Sequence, residues 1–556
     1  MRKLVVPQST LDEQMAASDP KRSAWVSANA GSGKTHVLTQ RVIRLMLAGN
    51  SPDKILCLTF TKAAAANMKN RVFKTLSTWT MLDDDDLCEE IRGATGTLPD
   101  YRTLRHARTL FTNALDTPGG LKIQTIHAFC ESLLHQFPLE ANLSGHFEVL
   151  QDSQQTVLLE EARAFVFEND LDGEVTQAYL ELGHAVSDSA LNEAFAESIS
   201  NRSDFRRWLI ESGGTVSDAI STLFPALGVA ETDTEESLLK DFFRRVCSEK
   251  EYFRMVSDFA RDSEKATDMK LAASLEAWLE GQENASAFEK LQSGFFTKEM
   301  NIRSERSMAT KSVKEAVPDF LEKFSGFAEN YLLTFDKIKS FQLIKNTNSL
   351  FLISDRIIRR YEALKRRLGL VDYDDQIWKT VDLLHRNDIR DWIRYRLDQG
   401  IDHVLVDEAQ DTSPAQWRII NAITEDFYSG QGVSKTKRTV FVVGDEKQSI
   451  YSFQGADPRE FARQQKNLEQ RSKHVGQDLK NAKLALSFRS TEDVLHAVDR
   501  VFEHADNRVG LTQDGIAPVH DAVRTNDPGE VQVWPLHARE GTEKKNTVAG
   551  SGRQVG

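Results

Sequence analysis

The sequence predicts an α/β protein: a parallel sheet with alternating helices, interrupted by a large, mostly α-helical insertion. Three observations predict it. Apolar runs at residues 23–28 and Ile55–Thr59 are each followed by helical spacing, the alternation that βαβ units produce. Residues 151–370 are instead rich in Glu, Ala, Leu, Phe and Lys at helical spacing and poor in proline, as at 158–167 and 355–368. The sheet pattern then returns at 402–407 and Thr439–Gly444, short apolar runs ending in acidic residues or glycine, as buried parallel strands end before functional loops.

Bulk properties agree with this class. The chain has 556 residues, 40% of them hydrophobic and 28% charged, enough for three to four soluble domains at typical domain sizes. No apolar stretch of about 20 residues is present to span a bilayer. The start, Met1-Arg2-Lys3-Leu4-Val5-Val6-Pro7, lacks the pattern of a signal peptide. Cys57, Cys88, Cys130 and Cys247 are scattered without a CxxC pair, so neither a disulfide framework nor a zinc site is expected, and a reducing cytoplasm is the expected compartment. The net charge of −13 leaves a nucleic-acid partner open, because a basic groove can sit on an acidic protein.

The first chemical signature is Ala28-Asn29-Ala30-Gly31-Ser32-Gly33-Lys34-Thr35, between a strand and the helix Lys34–Leu47. This is the context of a phosphate-binding loop, with Ala28 where the pattern starts with glycine. Glycines let the backbone N–H groups turn toward phosphates, and the helix N-terminus adds partial positive charge. Lys34 is expected to reach the β- and γ-phosphates, and the Thr35 hydroxyl to ligate Mg²⁺. The second signature is Val404-Leu405-Val406-Asp407-Glu408. Asp407 suits the metal and Glu408 the attacking water, which together make Mg²⁺-dependent nucleotide hydrolysis the expected chemistry.

The wording around these signatures narrows the class. Asp407-Glu408-Ala409-Gln410-Asp411 resembles the DEXQD box of superfamily 1A (UvrD/Rep-type) DNA helicases. Gln14 resembles their Q motif, Leu58-Thr59-Phe60-Thr61-Lys62-Ala63-Ala64 motif Ia, and Ile123-Gln124-Thr125-Ile126-His127-Ala128-Phe129-Cys130 motif Ib. Val443 to Ala456 resembles motif III, and Leu486-Ser487-Phe488-Arg489-Ser490 motif IV. Asp372-Tyr373-Asp374-Asp375 resembles the D-[FY]-D-D segment preceding motif II. Within the superfamily, residues 25–41 and the long helical middle resemble the AddA-type helicase subunits of AddAB helicase–nucleases. RecB is the nearest rival, but it carries DEFQD in the motif II position. Motifs Ia, III and IV argue against an unrelated P-loop enzyme such as a kinase.

The resemblance implies two RecA-like lobes closing on ATP and Mg²⁺, 3′→5′ movement on DNA, and an AddB-like nuclease partner in the bacterial nucleoid. It assigns residues 1–150 and 371–483 to the first lobe, 151–370 to a helical insertion, 484–540 to the beginning of a second lobe and 541–556 to a disordered tail. Gln14 is expected to read adenine, with Phe488 on one side of the base and Arg41 on the other. Gln448 and Arg489 are expected to sense or neutralise the γ-phosphate. Phe60, Thr61, Lys62, Thr125, His127, Tyr451 and Phe453 are expected to face DNA, with the aromatics as stacking platforms. His127 reads as an oriented polar residue rather than a metal ligand. The cations at 355–367 read as a solvated helix face, with DNA phosphates as the alternative, and the tetrad 83–86 as an exposed acidic loop. No segment resembling motif V or VI follows motif IV, so the expectation is an N-terminal portion of such a helicase, either active or a nucleotide- or DNA-binding module only.

Overall fold

The structure, a computed structural model, describes residues 6–386, 388–398, 400–428, 437–450, 455–511 and 515–535. The expectations for Tyr451, Phe453 and the tail 541–556 lie outside them. Among the described residues there are ten strands: β1 (Ala24–Ala28), β2 (Ile55–Thr59), β3 (Lys122–Thr125), β4 (Glu148–Val149), β5 (Leu370–Val371), β6 (His403–Val406), β7 (Thr439–Gly444), β8 (Lys480–Leu484), β9 (Leu486–Thr491) and β10 (Asp521–Arg524). The chain divides into two compact units, Met1–Phe147 with Tyr373–Gly556, and Glu148–Asp372.

The first unit is built on a six-stranded sheet in the order β3-β2-β6-β7-β1-β8, every adjacent pair parallel. The α/β class expected from the sequence is the class observed. The chain leaves β1, skips two positions to β2, moves outward to β3, and later returns to fill the gap with β6 and β7. The four strands β2, β6, β7 and β1 are almost wholly buried, which is why they read as continuous apolar runs rather than alternating ones. Because all six strands run the same way, their carboxyl ends form one edge of the sheet.

Helices α1 (Gln8–Ala17), α2 (Lys34–Leu47), α3 (Lys62–Met81), α4 (Asp84–Thr95), α5 (Tyr101–Leu115) and α6 (Ile126–Gln136) accompany the early strands. Their apolar stripes, such as Val37, Leu38, Val42 and Leu45 of α2 and Met68, Val72 and Leu76 of α3, join Val26, Cys57, Leu405 and Phe441 in one core. The tetrad 83–86 is not a loop. Asp83 caps α4 by accepting the Asp86 N–H at 2.8 Å, and the other three aspartates occupy the first turn, where the helix dipole favours negative charge. Beyond the large sheet, β9 and β10 form a parallel pair of their own.

The second unit is helical except for the pair β4–β5 and one isolated bridge. Its spine is a 49-residue helix, Phe320–Leu368, about 74 Å long at 1.5 Å per residue. Its first half supplies Phe324, Phe327 and Tyr331 to an aromatic core, and its second half supplies Ile353, Ile357 and Tyr361 to another. Gly369, at φ +68°, ends it in the left-handed region, where glycine alone carries no steric cost. Just beyond, the buried Asp372 carboxylate accepts from Arg202 (2.8 Å), Lys365 (2.8 Å) and Tyr361 (2.9 Å). The cation run 355–367 is largely tied down: Arg356 pairs with Asp172 and Glu174, Arg359 with Asp355, and Arg360 lies 3.5 Å over the Phe165 ring.

Candidate active site

The carboxyl edge of the large sheet gathers most of the described residues singled out by the sequence. At the end of β1 the chain turns through residues 29–33 with Gly31 at φ +73° and Gly33 at φ +90°. No side chain caps α2, which opens at Lys34, so its first N–H groups are left for another acceptor. The loop is braced from both sides. Asn29 N–H donates to Leu484 O (2.9 Å) and its side-chain amide to Ala485 O (3.2 Å). Ser32 Oγ donates back to Asn29 O (2.7 Å), and Phe488 N–H donates to Gly31 O (2.9 Å). A Cβ on Gly31 would stand 2.7 Å from Arg489 Cβ and 2.9 Å from Ser487 Oγ. The glycine is therefore required by both its backbone angle and its neighbours.

Gly33 has a second set of neighbours. A Cβ there would lie 3.3 Å from Gln14 Nε2 and 3.9 Å from both His36 Cβ and a ring carbon of Phe488. Gln14 is buried on α1, its amide 3.5 Å from Ser32 O. An amide and an aromatic ring thus lie beside the loop.

Those carboxylates follow β6. Asp407 is buried, and that burial together with the Glu408 charge pushes its carboxyl up to about 7. Glu408 sits at φ +48°, a left-handed conformation that costs a non-glycine residue of order 1 kcal/mol or more and is a mark of functional sites. Its Oε2 accepts from Lys34 Nζ at 2.8 Å. The same oxygen accepts from Gln410 Nε2 at 2.9 Å, while Gln410 Oε1 accepts the Asp445 N–H at 2.9 Å. Asp445 in turn accepts from Gln448 Nε2 at 2.6 Å and from Lys447 Nζ at 3.0 Å. One hydrogen-bonded chain therefore runs Lys34–Glu408–Gln410–Asp445–Gln448, across the ends of β1, β6 and β7. Gln410 also donates to Asp411 (3.2 Å), whose carboxyl burial and Glu408 push up to about 6.

The other half of the edge carries the residues expected to face DNA. Thr59 of β2 is in register with Thr125 of β3. Thr61 caps α3 by accepting the Ala64 N–H, and Thr125 caps α6 by accepting the Ala128 N–H, both at 3.1 Å. Phe60 is half-buried, and Thr61 and Lys62 are exposed. His127 is half-buried with its ring edge-on to Tyr373 at 5.5 Å, and burial holds its pKa below the ordinary value. Among the described residues no group of three or more His, Cys, Asp or Glu is placed to hold a metal by itself.

The sequence has relatives among known proteins. The family profile of the UvrD/REP helicase N-terminal domain matches residues 10–469. The chain belongs to that family. Similar relatives include the A subunit of an ATP-dependent helicase/nuclease from Lactobacillus helveticus, 27% identical over 90% of this chain and 40% of the relative. The proteins of the same name from Enterococcus faecalis and Lactobacillus johnsonii are 27% and 28% identical, over 90% and 89% of this chain and 39% and 40% of theirs. The chain thus spans about two fifths of the length of these relatives. No helix among the described residues is long and apolar enough to cross a membrane.

Within this UvrD/REP-type chain one expectation is corrected. Arg41 does not face the glycine loop. It is fully buried, donates to Arg22 O (2.7 Å) and Thr439 Oγ1 (2.9 Å), and lies 5.7 Å over the Phe441 ring. A side chain enclosed on the core face of α2 cannot stack on a base. The first-turn residue beside Gly33 and Phe488 is His36, which carries no sequence signal of its own. Neither does the bridging role of Gln410. Arg489 is exposed, with its Cβ against Gly31.

Proposed function

We propose that this chain is the ATP-dependent motor portion of a 3′→5′ DNA helicase or translocase acting in double-strand break repair beside an AddB-like nuclease. The observation that carries the reading is the Lys34–Glu408 contact and its continuation through Gln410 to Gln448. It links a phosphate-binding lysine, a carboxylate suited to orient water, and a polar residue at the end of the neighbouring strand. On this reading the first unit contains a RecA-like lobe, the second is the helical insertion, and β9–β10 begins a second lobe.

The backbone N–H groups of residues 29–33 and Lys34 would hold the phosphates of ATP, with Gln14 and Phe488 toward the adenine. Thr35 and Asp407 would hold Mg²⁺. The donor set fits that ion: it offers hard oxygens, and burial withholds from Asp407 the ionisation that a divalent cation restores. Bound Mg²⁺ would neutralise charge on the phosphates during transfer. Lys34 would then exchange its contact with Glu408 for a phosphate oxygen. ATP binding would release that carboxylate to accept a proton from the attacking water, with Gln410 keeping it aligned. Gln448 and Arg489 would respond to the γ-phosphate. Phe60, Thr61, Lys62, Thr125 and His127, with Tyr451 and Phe453, would hold the DNA strand.

The test is ATP turnover with and without single-stranded DNA, in the wild type and in Lys34→Ala. The expected outcome is DNA-stimulated hydrolysis by the wild type, reduced at least ~100-fold in the variant, as for loss of a charged transition-state interaction of about 3 kcal/mol. Equal rates in the two proteins, or a wild type indifferent to DNA, would sink the proposal.

A further inference from the structure

The helix Pro458–His474 follows the motif III segment and carries a surface that the motor site does not use. Its inner face is fixed by Phe461, whose ring lies 4.8 Å from Trp25, and by the buried Gln464, Leu468 and Ser472. Among its residues whose exposure is described, the exposed ones are Arg459, Arg463, Lys466, Gln470, Lys473 and His474. None is a carboxylate, in a chain with a net charge of −13. The two glutamates of the helix are drawn inward: Glu460 is buried and accepts from Gln464 at 2.6 Å, and Glu469 is half-buried beside Lys473. Spacings of four, three, four and four from 459 to 474 make a single ridge, about 22 Å long at 1.5 Å per residue.

We propose that this ridge binds the phosphate backbone of duplex DNA, outside the strand-holding edge of the sheet. The inference rests on the helicase reading above. Charge complementarity carries it: duplex DNA presents about one negative charge per 1.7 Å of axis, and this ridge offers cations and amide donors with no acidic residue among them. The absence of aromatic side chains from the ridge selects a duplex over a single strand, because proteins that hold unpaired bases use stacking platforms. Arg459 pairs with Asp457 and Arg463 with the buried Glu460, but both arginine side chains are themselves exposed and remain open to phosphate oxygens. Lys466 has no acidic partner among the described residues.

The experiment uses the full chain, a blunt 25-base-pair duplex and an oligothymidine, with affinity measured across a salt series. The test variant is Arg459→Gln/Arg463→Gln/Lys466→Gln. The control is Lys240→Gln/Lys311→Gln, which removes two exposed cations from the other unit. Removing one cation from a phosphate lowers the slope of log affinity against log salt by about 0.9. The triple variant is expected to lose about 2–3 in slope and about 10- to 100-fold in duplex affinity at low salt. Oligothymidine binding, nucleotide binding and helical content should stay at wild-type values. Gln470→Lys should strengthen duplex binding and steepen the slope. Wild-type duplex affinity in the triple variant, an equal loss on oligothymidine, or a wild type that binds oligothymidine but no duplex overturns the proposal and leaves the helicase reading standing. A chain that binds neither ATP nor oligothymidine overturns that reading as well.

Discussion

Gln410 offers a sharp test of whether the ends of β6 and β7 act as one unit. The side chain is 2% exposed. It donates to Glu408 and to Asp411, and it accepts the Asp445 N–H. Gln410→Met keeps the length of the side chain and removes all of these bonds. The bond to Glu408, made to a charged group, contributes about 1.5–3 kcal/mol, and stranding the Asp445 N–H costs about 1–3 kcal/mol. Relaxation and water penetration offset part of this, so we expect a loss of about 2–4 kcal/mol in urea unfolding. The catalytic effect should be separable from stability. Glu408 loses the donor that aligns it while Lys34 and the loop are untouched, so kcat should fall ~10- to 100-fold with the KM for ATP changed less than about threefold. A variant within about 0.5 kcal/mol of the wild type and with unchanged kcat would refute the idea that this amide connects the two strands. Unchanged kcat with the expected destabilisation would leave Gln410 as a packing residue only.

Two further predictions concern buried charge. Asp372→Ala leaves Arg202 and Lys365 buried beside a missing carboxylate, and unfolding of the second unit should be easier by about 3–5 kcal/mol. Asp372→Asn, which keeps an acceptor for Tyr361, should cost less, and equal losses in the two variants would argue against the charge term. His403 is held neutral: burial and the nearby Arg41 lower its pKa to about 3, and its Nδ1 lies 2.8 Å from Thr439 Oγ1, which already accepts from Arg41. Since the unfolded chain takes up this proton near pH 6.5 and the folded chain does not, stability attributable to His403 is full above that pH. It falls by up to ~1.4 kcal/mol per pH unit between about 6.5 and 3. Urea midpoints at about pH 7.5 and about pH 5.5, on either side of that upper limit, should converge in His403→Asn relative to the wild type. Parallel shifts in the two proteins would exclude this residue as the source.

Much of the fold is legible in the sequence because burial imposes simple patterns. Ile55–Thr59 and Thr439–Gly444 are buried on both faces, so their apolar runs mark the strands without ambiguity. The glycine loop is legible for a stereochemical reason, since two left-handed residues before a helix leave little choice but glycine. Strand β8 is not. It is an edge strand with Lys480 and Lys483 among its five residues, and its place beside β1 depends on pairing with residues some 450 positions away. Arg41 misleads when its charge is weighed without its spacing. Val37, Arg41 and Leu45 stand four apart on the buried stripe of α2, and that periodicity places the guanidinium inside. Aspartates 83–86 look like a loop because an N-cap and an acidic first turn share a loop's composition. Gln410 is visible as part of a motif, but nothing in one dimension shows an amide reaching both a carboxylate and the backbone just beyond a strand more than thirty residues on.

The placement of β1 between β7 and β8 has a cost during synthesis. Both strands that flank Trp25 and Val26 are translated more than 400 residues after them. At about 5–20 residues per second this interval is on the order of tens of seconds. The helical unit 148–372 has all its own partners in hand well before then. The nascent glycine loop must therefore wait, its strand apolar and unpaired, so this stretch is where a holding chaperone would act and where interrupted translation would first produce aggregates.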